Sequence, residues 1–264
     1  MYEFEYCRAS SLADAASRLG GDEDARLVAG GMTLLPTLKL RLAKPTQLID
    51  LTGLSELKGI REEGDALVIG AMTRHRDVHT SDAVKRAIPA LAAMAGMIGD
   101  PAVRNRGTIG GSIANNDPAA DYPAAVVALN ATVRTSQREI AADSFFTGLF
   151  ETALEPGEIV TAVRFPKVAQ ANYQKFRNPA SRYAIVGVFV AKTPAGVRVA
   201  VTGAGPCVFR VTQMESALAG NFSPDAIKDI QVPADDLNSD IHASAEYRAH
   251  LVNVMARRAV AACA

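Results

Sequence analysis

Leu27-Val28-Ala29-Gly30-Gly31-Met32-Thr33-Leu34 reads as a short apolar strand running straight into a glycine pair and out into a helix. Later in the chain the pattern returns as Gly107-Thr108-Ile109-Gly110-Gly111-Ser112, continuing through Asn115-Asn116-Asp117-Pro118-Ala119-Ala120-Asp121-Tyr122-Pro123. Each is a Gly-Gly step beside a small hydroxyl residue, with no carboxylate inside the step. Glycine reaches backbone torsions closed to other residues and lets N–H groups come close to an anion. Thr33, Thr108 and Ser112 add hydroxyl donors. Two loops of matched chemistry point to a large phosphate-bearing cofactor gripped from both sides.

Around these loops the chain reads as alternating short elements. Residues 10–20 predict a helix capped by Ser10 or Ser11, with Leu12, Ala15, Ala16 and Leu19 as its apolar stripe and Gly20-Gly21 as its end. Arg26 to Ala29 predicts a buried strand. Leu34 to Leu42 predicts a helix with Pro36 in its first turn, so the first loop lies between a strand end and a helix start, where an anion is favoured. Gln47–Leu51 and Leu67–Gly70 predict strands, and 82–99 a helix broken near Pro89. The stretch 100–123 carries neither a helical nor a strand period, yet it is apolar and glycine-rich; a loop of that length inside a domain is usually functional. Ala124–Leu129 and Ala131–Thr135 resume regular structure, and Ile159–Phe165 predicts a strand closed by Pro166. After a break near 167–171, β-patterned segments fall at Tyr173–Phe176, Ile185–Val190 and Val197–Thr202. Helical patterns follow at 210–219 and 244–263, the last with Tyr247, Leu251, Val254, Met255 and Arg258 as its core stripe.

The bulk numbers narrow the function classes. At 264 residues, two or three lobes are expected. A hydrophobic fraction of 48% with 21% charged residues is an ordinary soluble composition. The 28 cationic residues balance 28 carboxylates, which removes the electrostatic reason to expect nucleic acid or an anionic membrane. No apolar run reaches the roughly 18–20 residues of a membrane span. The acidic start, Met1-Tyr2-Glu3-Phe4-Glu5, lacks the pattern of a signal peptide, so the expectation is a cytoplasmic protein. Cys7, Cys207 and Cys263 are scattered and odd in number, which fits reduced thiols rather than a disulfide framework or a metal cluster. His75 and His79 share metal-pair spacing, but Arg74 and Arg76 flank His75 and oppose a cation, so no metal site is expected. Redox chemistry would therefore come from an organic cofactor.

Common nucleotide motifs do not match. Asp50 lies twenty residues after Gly30, as a ribose-binding acid would, but Gly30 to Leu35 is not G-x-G-x-x-G. Neither loop ends in the Gly-Lys-Ser/Thr of a P-loop. Together the loops resemble the FAD-binding medium subunit of molybdenum hydroxylases, the xanthine dehydrogenase and carbon monoxide dehydrogenase type. The matching residues are Leu27 to Leu34, Gly99-Asp100-Pro101-Ala102-Val103-Arg104-Asn105-Arg106 running on to Ser112, and Asp117 to Pro123. Pro156-Gly157-Glu158-Ile159-Val160, Tyr173-Gln174-Lys175-Phe176 and Ser181-Arg182-Tyr183-Ala184 match in the same order.

That resemblance implies an α+β chain. Two N-terminal subdomains of the vanillyl-alcohol-oxidase (PCMH) type, at 1–55 and 56–167, would hold FAD between them. A C-terminal domain at 168–264, with a three-stranded antiparallel sheet, would close over the flavin. It also implies partners: a small subunit with two [2Fe-2S] clusters and a large molybdopterin subunit, as a dimer of heterotrimers. Ala29, Gly30, Gly31, Met32, Thr33 and Leu34, with Thr108, Ile109, Gly110, Gly111 and Ser112, would contact the FAD pyrophosphate and ribityl chain. Leu27, Val28 and Asn115 join the cofactor-binding set. Asp121, repelled by a diphosphate, would accept hydrogen bonds from cofactor hydroxyls. Ile98 and Val160 would pack on flavin or adenine, Lys175 would favour reduced anionic flavin, and Tyr183 would approach the isoalloxazine ring. Met32 stands where many relatives carry His, and a thioether cannot make the usual covalent flavin link, so FAD is expected to be non-covalent.

The function implied is electron transfer from iron–sulfur clusters of a partner through FAD to an external acceptor. The chain shows no acid–base pair or nucleophile set of its own. The alternative is a self-standing FAD-dependent reductase or oxidase of the same fold, which would need its own proton donor beside the flavin.

Overall fold

In the computed structural model, which describes residues 1–263, the first segment is a parallel three-stranded sheet. Strand β1 (Glu5–Arg8) leads to helix α1 (Leu12–Gly20), β2 (Arg26–Val28), α2 (Leu34–Lys39) and β3 (Gln47–Asp50), with β3 in the centre of the sheet. Ser11 caps α1 by accepting from the Asp14 amide, and Asp14 accepts in turn from the Ser10 amide. Ala15 and its neighbours on the predicted stripe pack with Ile49 and Leu51 into a small core. The strand predicted as buried lies at the sheet edge: Arg26 is exposed, and Leu27 and Val28 are half-buried.

The middle segment is built on an antiparallel five-stranded sheet. β4 (Ile60–Glu63) and β5 (Ala66–Gly70) form a hairpin, followed by α3 (His75–Thr80), α4 (Asp82–Ala87) and α5 (Pro89–Gly96). Next come α6 (Pro101–Arg104), α7 (Ile109–Asn115), α8 (Tyr122–Ala128), β6 (Thr132–Thr135), β7 (Glu139–Ala141), α9 (Ala142–Phe145), and the small hairpin β8 (Phe146–Gly148) and β9 (Glu151–Thr152). β10 (Val160–Pro166) then enters the sheet between β5 and β6. Pro166 pairs with Ala66 as the last residue of β10 rather than closing it from outside.

One expectation fails here for a physical reason. The stretch 100–123 is not one loop, because α6 and α7 lie within it and α8 begins at Tyr122. Helices of four and seven residues are too short to display an apolar period. They are instead started by side chains: Asp100 accepts from Val103 N–H at 2.9 Å and Thr108 from Gly111 N–H at 3.2 Å. Glu62 and Glu63, at the end of β4, pair with Lys167 and Arg134.

The C-terminal sheet runs β11 (Gln170–Arg177), β12 (Ala184–Thr193), β13 (Gly196–Thr202) and β14 (Phe209–Arg210). To the three strands implied by the resemblance the structure adds a fourth, the two-residue β14, paired along β13 at Ala200 and Val201. β12 is buried along nearly its whole length, which explains why it reads as continuous apolar sequence. The helices α10 (Thr212–Gly220) and α11 (Ala245–Ala262) cover one face, and α8 packs on the other. The core stripe of α11 is rotated from the expected one: Leu251 and Met255 are buried, but Tyr247 and Arg258 are exposed. Arg248 takes the buried position instead, with Nη1 donating to the Ile185 and Gly203 carbonyls and Nη2 to Asp240. A charge at a core position hides the true stripe from a hydrophobicity reading. The middle core is continuous with this sheet, because Tyr173, Phe189 and Ala200 pack with α8 and β10 residues.

Glu158 joins the turn before β10 to the β6–β7 hairpin. Burial alone would push its carboxyl up, but Arg138, the Thr135 hydroxyl and the Glu155 amide outweigh it and hold it at about 2. A depressed carboxyl pKa contributes stability above its unfolded value and loses it as pH falls toward the folded one. Urea unfolding of the parent should therefore weaken between about pH 4.5 and 2. Glu158→Gln should cost about 1.5–3 kcal/mol at pH 7 and flatten that dependence. An unchanged slope in the variant would remove Glu158 as the source.

Candidate cofactor site

The two glycine loops meet across a cleft of about 700 Å³, towards the upper end of the roughly 300–1,000 Å³ of ligand pockets. Gly30 sits where a Cβ would stand 2.2 Å from the Arg106 carbonyl oxygen, so the first loop lies directly against the segment that opens the second. Gly31 has a φ of +71°, which turns the chain from β2 into α2.

The loops are not equivalent as donors. In the second, the Ile109 amide donates to Thr73 O at 3.1 Å and the Gly110 amide to Ala71 O at 2.8 Å. The Gly111 amide goes to Thr108 Oγ1, and the Ser112 amide to Thr108 O at 3.0 Å. In the first, the amides of Gly31, Met32, Thr33 and Leu34 meet no protein acceptor among the described residues. The free backbone donors therefore sit in the first loop. The second loop offers a close glycine surface at Gly111 with the side chains of Ser112 and Asn115, all of which line the cleft.

Nearly every candidate residue reaches the cleft. Leu27, Ala29, Gly30, Gly31, Met32, Thr33, Leu34, Ile98, Thr108, Gly110, Gly111, Ser112, Asn115, Asp121, Val160, Lys175 and Tyr183 line it. Val28 and Ile109 do not. Val28 alternates away from Leu27 along β2 and its carbonyl accepts from Leu51 N–H, while Ile109, the first residue of α7, is buried in the middle core.

Asp121 and Lys175 form a buried ion pair in the cleft wall, Nζ to Oδ2 at 2.9 Å, with Tyr173 donating its hydroxyl to Oδ1. Burial pushes the Asp121 carboxyl up, against the opposing pull of Lys175 and Tyr173. Burial also raises the Tyr173 hydroxyl, as does the Asp121 charge. Both Asp121 oxygens are thus engaged by the protein. This network joins the start of α8 to β11, a contact across more than fifty positions that no local pattern announces.

Tyr183 closes a tight loop after β11. Asn178 N–H donates to Tyr183 O, the Asn178 side chain accepts from the Ala180 and Ser181 amides, and Arg182 adopts a φ of +63°. Tyr183 itself is half exposed at the cleft, and burial of its remainder raises its hydroxyl pKa.

Sequence reasoning missed His75 as a cleft residue. Its ring is buried beside Gly107, where a Cβ would stand 2.5 Å from Nε2, and faces Tyr122 with ring centroids 5.3 Å apart. Burial, then the Arg104 charge, holds its pKa at about 4, so the ring is neutral at pH 7. His79, on the same helix, is exposed and bonds the Ala92 carbonyl through Nδ1. No group of three or more metal-ligating side chains occurs among the described residues. Met72, Asp100, Val103 and Arg182 also line the cleft; the last three fall within matched motifs but had been given no role there.

The donor set fits FAD. Unpartnered amides lie in the first loop, which carries no carboxylate, Gly111 leaves room for close approach, and apolar walls at Leu27, Ile98 and Val160 suit flat rings. Residues 2–168 match the family described as the FAD binding domain in molybdopterin dehydrogenase, and residues 171–263 the CO dehydrogenase flavoprotein C-terminal domain. The carbon monoxide dehydrogenase medium chain of Hydrogenophaga pseudoflava is 38% identical over 278 residues, covering 97% of this chain and 96% of that protein. The nicotine 6-hydroxylase medium subunit of Paenarthrobacter nicotinovorans is 36% identical over 269 residues, covering 97% and 95%. The solved carbon monoxide dehydrogenase of Hydrogenophaga pseudoflava that lacks the Mo-pyranopterin moiety contains a chain of the same fold. It matches with a TM-score of 0.91 at 37% identity, over 99% of this chain and 97% of that one. The chain belongs to the FAD-binding medium subunits of the molybdenum hydroxylases, oxidoreductases of the carbon monoxide and xanthine dehydrogenase type.

Proposed function

We propose that this chain carries electrons out of a three-subunit complex, taking them from [2Fe-2S] clusters of a small subunit that are fed by a large molybdopterin subunit. The observation that carries this reading is that both halves of the chain match flavoprotein families while the cleft between the loops holds free amide donors. When bound, FAD supplies a centre that accepts single electrons and releases pairs. Support for the partners comes from relatives that are themselves medium chains or subunits. We further place the complex in the cytoplasm as a dimer of heterotrimers; no described helix is long and apolar enough to cross a membrane.

Each cleft residue has a role in this reading. The amides of Gly31 to Leu34 bind the diphosphate, and Gly111, Ser112 and Asn115 border it from the other side. Val28 and Ile109 support the loops from behind. Ile98 and Val160 exclude water from the ring faces. Lys175 holds a positive charge near the flavin, and Asp121 serves first to fix that lysine and Tyr173, with its remaining lone pairs open to cofactor hydroxyls. Tyr183 covers the open side of the cleft. The segments 1–55, 56–167 and 168–264 act as two halves of the FAD clamp and a cover.

Purified alone, the chain is expected to be yellow, to release its FAD on acid precipitation, and to contain neither iron nor molybdenum. Release follows from Met32, which cannot make the usual covalent link. Oxidation of an organic substrate should appear only when the iron–sulfur and molybdopterin subunits are co-purified. Efficient substrate oxidation by the lone, metal-free chain would replace this reading with the self-standing flavoenzyme.

A further inference from the structure

The end of α2 holds a feature that the cofactor cleft does not use. Leu40 and Leu42 are 71% and 74% exposed, although the chain buries most of its large apolar side chains. The backbone that presents them is a closed helix terminus: the Arg41 amide donates to Leu38 O at 3.1 Å and the Leu42 amide to Thr37 O at 3.0 Å. This is the Schellman arrangement, in which the left-handed position usually falls to glycine and the next residue packs back on the helix. Here neither holds. Arg41 occupies the left-handed position at φ +59°, and Leu42 points to solvent. The hydrogen-bonded turn thus holds two leucine side chains side by side in solvent at a fixed geometry.

The charges around it define the partner. Lys39, Arg41 and Lys44 are exposed and make no ion pair among the described residues, in a chain whose total charge is balanced. The Tyr2 ring lies 5.7 Å from both the Arg41 guanidinium and the Lys44 ammonium, which holds the two cations over one side of the patch. An apolar centre with a cationic rim fits a surface of leucine-sized side chains ringed by carboxylates. Position decides which partner. α2 starts at Leu34 in the cleft wall and its six residues span about 9 Å, so whatever docks at Leu40 and Leu42 sits close to the bound cofactor. Electron transfer weakens steeply with distance, and the donor is the partner held beside the flavin in the complex, whereas an external acceptor comes and goes.

We propose that Leu40 and Leu42, rimmed by Lys39, Arg41 and Lys44, form a docking surface for the iron–sulfur subunit. This rests on the electron-transfer reading given above. The test is co-expression of the chain with its iron–sulfur and molybdopterin subunits, followed by gel filtration and measurement of iron per flavin. Leu40→Asp/Leu42→Asp should lower recovery of the iron–sulfur subunit at least tenfold, while flavin content and the melting temperature of the chain match the parent. Ile241→Asp, at a residue that is 95% exposed elsewhere on the molecule, should leave assembly intact. Association of the parent should weaken with rising salt. Full assembly of the double variant would overturn the proposal. So would loss, in that variant, of self-association or of binding to phosphatidylglycerol vesicles while assembly persists. Failure of the parent to recover any iron–sulfur subunit would instead overturn the electron-transfer reading on which the proposal stands.

Discussion

Gly111→Asp is expected to abolish FAD retention while leaving the fold in place. Gly111 is the third residue of α7 and lies at the cleft surface. A Cβ there would meet Thr108 Oγ1 at 3.0 Å and Ala29 Cβ at 3.7 Å, so the oxygen that caps α7 must shift by a few tenths of an ångström while the backbone stays in place. An acidic residue in a first helical turn is favourable, and circular dichroism and the urea midpoint of the apo chain should stay near those of the parent. The carboxylate would, however, face the cleft beside the proposed diphosphate. One charge at about 4 Å in a medium of effective dielectric about 20 costs about 4 kcal/mol, roughly a thousandfold in Kd. Flavin per chain after gel filtration and titration of the apo protein measure this directly. Parental occupancy in the variant would remove the pyrophosphate from this loop.

The second large effect is expected at Asp121, and it falls on the fold as well as on the cofactor. Removing this carboxylate leaves Lys175 buried without its counter-charge and Tyr173 without its acceptor. Breaking one side of a buried pair typically costs about 3–5 kcal/mol. Urea unfolding of the apo chain should show that loss for Asp121→Ala. Asp121→Ala/Lys175→Met, which removes both charges, should recover much of it. FAD affinity should weaken by about 1.5–3 kcal/mol where the single variant still folds, as for hydrogen bonds to a charged group. An apo Asp121→Ala chain as stable as the parent would mean that the pair does not hold α8 to β11.

These two sites mark the limit of what local pattern reveals. Glycine spacing, hydroxyl neighbours and the order of the matched motifs were enough to indicate the cofactor class and the family, because those features act within a few residues. The helix at 12–20 and the strand at 184–193 were legible for the same reason: a cap and an unbroken apolar run are local. α6 and α7 were not, because each is shorter than the window in which a period appears, and their caps look like ordinary loop residues. Arg248 concealed the buried face of α11, since a charge satisfied by two carbonyls and a carboxylate looks solvated when read alone.

By itself the sequence indicated the cofactor class and named most of the residues that line the cleft. Only the tertiary structure decided how labour is divided between the two glycine loops. Their chemistry looks matched along the chain, yet the amides of Ile109, Gly110 and Gly111 are consumed by Thr73, Ala71 and Thr108, while those of Gly31 to Leu34 stay free. Hydrogen-bond capacity is finite, and which donors remain depends on acceptors brought in from distant segments. The same reason turns Asp121 from a free acceptor into one end of a buried network. Its partners, Tyr173 and Lys175, lie more than fifty positions away and meet it only when β11 folds against α8.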